Sequence, residues 1–262
     1  MHTNRPAAAA AVAAGGLTVL CLSQLPDGPK EADASAGQVR AFVAVHGDSV
    51  RLSLASGALA AVALLVLAVL LRRHLTRAGA ELSAQLAPPA AAATALLLLV
   101  GCALRSPLAR EDLSGHDAVV QGWYALGDAA DGVLDLSAVT GGLLVGVLSV
   151  AAWNRRGLPR GLAVPGAVIA AAGLLSALTP LEGPTEGLLH LPLVVSYVLW
   201  PVWLVVAGVF LAVGRTARRV GAPSPAGPVD PTPVSAGVLA PIAVSTGSVG
   251  PVPAAVSVRS IG

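Results

Sequence analysis

Residues 52–71 read Leu-Ser-Leu-Ala-Ser-Gly-Ala-Leu-Ala-Ala-Val-Ala-Leu-Leu-Val-Leu-Ala-Val-Leu-Leu, twenty positions without a charge, and Arg72 and Arg73 follow at once. As a helix this stretch is roughly 30 Å long, the thickness of a bilayer's hydrocarbon core. A run of that length ended by two positive charges cannot be housed in the interior of an ordinary soluble domain. Composition agrees. Of 262 residues, 55% are hydrophobic and 11% charged, against about 25% charged in soluble domains, so the material for a solvated surface is missing. Fifteen of the sixteen basic residues are Arg, with Lys30 the exception, and Ala, Gly and Pro abound. That bias matches a bacterium of high G+C content.

The same reading along the chain predicts an all-α, polytopic transmembrane bundle of six spans, about 7–25, 52–71, 88–104, 133–153, 162–178 and 188–213. A short start, 1–6, precedes the transmembrane domain of 7–214. The first run is alanine-rich and inserts weakly, so a signal peptide competes with a retained helix. The Ala-x-Ala sequence Ala34-Ser35-Ala36 falls too late for a cleavage site, which favours a retained helix; cleavage would leave five spans. Residues 39–45 have the character of an interfacial helix feeding the second span. Pro88 and Pro89 open the third, where first-turn amides need no partner. Pro201, between Trp200 and Trp203, falls near the middle of the sixth and predicts a kink there. In the fourth, Gly142 and Gly146 form a small-xxx-small spacing that suits close helix approach. Residues 215–262 are rich in Pro, Gly, Ser and Val and predict a disordered tail.

Loop charges set the expected direction. The loops at 1–6, 72–87, 154–161 and the tail carry eleven Arg and two acidic residues, whereas those at 26–51, 105–135 and 179–187 carry five basic and twelve acidic. Positive residues mark the cytoplasmic side. Both termini are therefore expected inside the cytoplasmic membrane of a bacterium, with the acidic loops outside.

Chemistry has few candidates. No span carries a charge near its centre, unlike proton-coupled pumps. No Gly-x-Ser-x-Gly, His-Glu-x-x-His or Gly-x-x-x-x-Gly-Lys motif is present, and neither an enzyme nor a cofactor is expected. Asp128, Asp131 and Asp135 share a helix face if the fourth helix begins early, although Gly127 and Gly132 oppose an early start. With His190 at the outer end of the sixth span, and His46, Asp48, His116 and Asp117 in nearby loops, they are the candidates for a hard-cation or proton-sensing site. The plainer reading is a solvated acidic rim. Cys21 and Cys102 lie in apolar runs and read as small packing residues, too far apart in sequence for a metal-ligand pattern. The expected partners are the lipid bilayer, anionic headgroups at the arginine clusters or another membrane protein, and not nucleic acid.

Residues 39–75, with His46 and a span ending Leu-Arg-Arg-His-Leu, are similar to the second span of certain uncharacterised bacterial multi-pass membrane proteins. Residues 154–175, with Arg-Arg-Gly-Leu-Pro-Arg-Gly-Leu before an Ala/Gly/Leu span, resemble another element of that family. The resemblance implies a multi-pass topology and supplies no activity and no site. The function expected is that of a structural or regulatory membrane component. The alternative is a small-solute transporter or channel with a cavity beside the kinked sixth helix.

Overall fold

A computed structural model describes residues 5–25, 34–109, 116–155, 158–178 and 190–213. All of their regular structure is helical: α1 (Arg5–Ser23), α2 (Ala36–Arg77), α3 (Glu81–Arg105), α4 (Asp117–Trp153), α5 (Ala163–Ser176) and α6 (His190–Val213). Short 3₁₀ turns at Ser106–Ala109 and Arg160–Leu162 follow α3 and precede α5. The expected tail lies outside the described residues.

Each helix packs on the next, and α6 packs back on α1, so the six form a closed ring. α4 also touches α2 and α6, which makes it the helix with most neighbours. Five helices are long and apolar enough to cross a membrane; the apolar stretch Arg160–Ser176 is shorter. α5 itself has 14 residues, about 21 Å.

Two helices far exceed the expected spans. α2 has 42 residues and α4 has 37, or about 60 and 55 Å, twice what a bilayer requires. The start of α2 is set by Ser35, whose hydroxyl accepts from the Gln38 backbone N–H at 3.3 Å while the Ser35 N–H donates to Gln38 Oε1 at 2.7 Å. This reciprocal capping box begins the helix well before the apolar run. Residues 39–45 are thus the first turns of the span's own helix and not a separate interfacial one. α4 likewise runs unbroken through Gly127 and Gly132. Glu81 opens α3, so Pro88 and Pro89 stand inside that helix and not at its first turn. The surplus lengths, 36–51 and 117–132, lie at the end of the bundle with the acidic residues. There they enclose a small core of Val39, Val43, Leu108 and Val120, backed by Phe42, Trp123 and Tyr124. Arg40 Nη1 meets Asp117 Oδ1 at 2.9 Å. Asp117 is largely exposed and Arg40 partly so, so the pair aligns the helices more than it stabilises them.

Within the ring, small residues share the buried faces with leucines such as Leu64, Leu67 and Leu144. α2 turns Ser53, Ser56, Gly57, Ala60 and Ala61 inward and exposes Leu59, Val62, Val66 and Val69. Hydroxyls join the helices: Ser83 donates to the Val147 carbonyl at 3.1 Å, Thr94 to Thr140 Oγ1 at 3.0 Å, and Ser196 to the Ala138 carbonyl at 3.1 Å. α1 meets α6 almost backbone to backbone. A Cβ added to Gly208 would lie 2.8 Å from Val12 Cγ2 and 2.9 Å from the Ala8 carbonyl oxygen, whereas Gly16 has open space around it.

Gly208→Leu is therefore expected to overpack this seam, at a cost of about 1–3 kcal/mol, and to lower the melting temperature of the detergent-solubilised protein. Gly16→Leu should leave it unchanged. Equal melting of the two variants would contradict the observed α1–α6 seam.

Candidate functional site at the acidic end

Below the paired extensions, α3 ends at Arg105. Its side chain is 17% exposed, so its charge has little water around it and needs a protein partner. Asp131 of α4 supplies one through a direct ion pair between its Oδ1 and Arg105 Nη2. Asp135 and the Tyr197 hydroxyl of α6 lie within electrostatic range of the same guanidinium. The 3₁₀ turn that follows is held from the other side, where Arg51 Nε donates to the Ala109 carbonyl at 3.0 Å and Arg51 Nη1 pairs with Asp48 at 3.2 Å.

A cavity of about 70 Å³ opens beside the Arg105–Asp131 pair. Leu25, Phe42, Val50, Leu54 and Leu108 make its apolar wall, and Ser53, Tyr124, Asp128 and Asp131 its polar one. A space of this size holds a few waters or an ion, whereas pockets for organic ligands run to about 300–1,000 Å³.

The predicted site residues are only partly gathered here. Asp128 and Asp131 line the cavity. Asp135 is close enough to act on Arg105 and is engaged. His190 opens α6, and its side chain lies outside the described residues. The remaining groups go elsewhere: His46 packs on Phe42 with ring centroids 5.0 Å apart, Asp48 turns to Arg51, Asp117 turns to Arg40, and His116 occupies the N-cap position of α4. Among the described residues no group of three or more His, Cys, Asp or Glu side chains is placed to hold a metal ion. α4 is continuous through the three aspartates; Asp131 pairs with Arg105 and Asp135 lies within its electrostatic range. A carboxylate cluster beside a poorly solvated guanidinium gains more by neutralising it than by staying open.

The sixth helix stands apart from this cavity. No α6 residue lines this cavity. Trp200 is 1% exposed and lies against Gly141 of α4, where an added Cβ would come within 2.7 Å of its ring. Trp203 is buried and its indole N–H donates to the Leu162 carbonyl at 3.3 Å. Both tryptophans fill space beside Pro201.

Two features escaped the sequence reading. Arg105 looked like one more loop charge, because nothing local distinguishes a cation that will be half-sealed by a neighbouring helix. Cys21 and Cys102, 81 positions apart, meet: a Cβ on Gly57 would lie 3.0 Å from Cys21 Sγ and 2.7 Å from Cys102 Sγ. Only the packing of α1 and α3 on either side of α2 brings the two sulfurs together. Among protein-family models, curated proteins and solved structures, nothing matches this chain.

Replacing Asp131 alone leaves Asp135 near Arg105, so Asp131→Asn is expected to cost only about 1 kcal/mol. Asp131→Asn with Asp135→Asn should cost more than the two single losses combined, because Arg105 is then left without a counter-charge. Denaturant titration of the four proteins measures this, and simple additivity would show that the carboxylates do not share Arg105.

Proposed function

We propose that this chain is a regulatory or structural component of a bacterial cytoplasmic membrane, with six spans, both termini inside and the paired extensions of α2 and α4 as its working end outside. The observation that carries the reading is that pair of extensions. Some sixteen residues of each helix stand beyond the length a bilayer needs and have their own apolar core and an Arg40–Asp117 link. A bundle that served only as an anchor would not require them. The length of α5 fits a sixth span at the lower limit of crossing, and the seam of α1 against α6 supports a first helix that is retained. The Arg-rich ends of α2 and α4 suit anionic headgroups on the inner leaflet. The family resemblance belongs to the same proposal and adds a topology to it. The transporter alternative asked for a cavity beside α6; the tryptophans that fill that region favour the regulatory reading.

The direction is open to a fusion experiment. A fluorescent protein joined after Val213 should fluoresce and alkaline phosphatase there should be inactive, while phosphatase joined after Ala109 should be active; the reverse pattern overturns the orientation. The working end is tested with a photo-crosslinking amino acid at Val45, which is 77% exposed on the α2 extension, and at Val66 on the outward face of the span. A discrete protein adduct is expected from Val45 and not from Val66. It should be lost in Arg40→Glu and return in Arg40→Glu with Asp117→Arg. Equal adducts at both positions, or none at Val45, would overturn the reading.

A further inference from the structure

Cys21 and Cys102 are both free thiols, and they come from helices on opposite sides of α2. The place where they meet is the one left open by Gly57. With 2.7 Å and 3.0 Å to a common point, the sulfurs are separated by at most those two distances laid end to end. That upper bound admits two in-line metal–sulfur bonds of about 2.3 Å each. Ser53 stands beside the pair: its hydroxyl donates to the Cys21 carbonyl at 3.0 Å and lies 3.5 Å from Cys21 Sγ. Ser53 also lines the cavity described above, so the thiols sit one side chain behind the cavity floor. The cavity wall carries Asp128 and Asp131 as well as Arg105, with Asp131 paired to Arg105. Arg105 lies within electrostatic range of both sulfurs.

We propose that Cys21 and Cys102 form a two-thiolate site for a soft monovalent cation of the Cu(I) or Ag(I) kind, cradled where Gly57 lacks a side chain. Thiolates select soft ions over hard ones, and two sulfurs with no third ligand suit the in-line coordination of a filled-shell monovalent ion. Binding joins one M⁺ to two thiols and releases two protons to the cavity, with no change of oxidation state. The product carries one negative charge, and the nearby Arg105 guanidinium offsets it. The site stands independently of the regulatory reading, since it needs no partner at the extensions.

The test uses the full-length reduced protein in lipid nanodiscs, titrated without oxygen against Cu(I) held by a competing chelator. The chain contains two cysteines and one methionine, so a signal from two sulfur neighbours has few possible sources. One Cu(I) per chain is expected, with two sulfur neighbours in X-ray absorption. Cys21→Ser and Cys102→Ser should each weaken binding by more than about 100-fold, beyond what loss of an outer-shell partner costs. Gly57→Ala, with both thiols intact, should weaken it by at least about tenfold. Should Gly57→Ala fail to fold, bound Ag(I) in the wild type is expected to protect both cysteines equally from N-ethylmaleimide, read by mass spectrometry. No Cu(I) uptake by wild type, full uptake by either serine variant, wild-type affinity in folded Gly57→Ala, or protection of one cysteine alone would each overturn the proposal.

Discussion

In hydrocarbon, an apolar side chain gains nothing by leaving lipid for a neighbouring helix, so a bundle must be held by close packing and interhelical hydrogen bonds. The composition of this chain answers that constraint. Its buried helix faces combine Ala, Gly and Ser with a set of leucines such as Leu64, Leu67, Leu98, Leu144 and Leu204, while other Leu and Val side chains face outward. Small residues let backbones approach at the α1–α6 seam and let the Trp200 ring lie on Gly141. Serine and threonine hydroxyls then reach across from α3 and α6 to α4. Each such bond contributes roughly 0.6 kcal/mol in a membrane, so the closed ring depends on their number more than on any one of them.

The same economy explains where polar chemistry can exist. At the acidic end α2 and α4 outrun the apolar core, and their extensions carry the Arg40–Asp117 and Arg51–Asp48 pairs. There Arg105 sits half-sealed between the core and the extensions. Its sequestration from water requires a carboxylate, and the face of α4 that looks toward α3 supplies Asp131 with Asp135 one turn further on. The cavity beside them follows from this arrangement, because a charged pair and a 3₁₀ turn cannot pack as tightly as the alanine faces below.

Helix lengths show how far local signals carry. The apolar run at 52–71 announces a span but says nothing about where its helix starts. That boundary belongs to Ser35 and Gln38, a capping pair well upstream of the apolar run. Both signals were present in the sequence, but a capping box is common and becomes informative only when an unbroken helix joins it to the span. In α3 the two prolines pointed to a helix start that in fact lies at Glu81, because preceding turns can form before a proline whenever their carbonyls are otherwise satisfied.

The sequence by itself pointed to the class of molecule: uncharged runs of bilayer length, basic stops and a deficit of charge suit a helical membrane bundle, because unpaired backbone groups are too costly in lipid. It offered Asp128, Asp131 and Asp135 a shared helix face on condition that the fourth helix begins early, and the early start at Asp117 came from the structure. Tertiary structure decided what the face meets: Asp131 pairs with Arg105 and Asp135 lies within range of it. It also brought Cys21 and Cys102 to a shared point over Gly57, across 81 positions of chain. Periodicity reports which side of a helix a residue occupies, whereas the identity of the neighbour depends on how six helices close into a ring, and no local pattern carries that information.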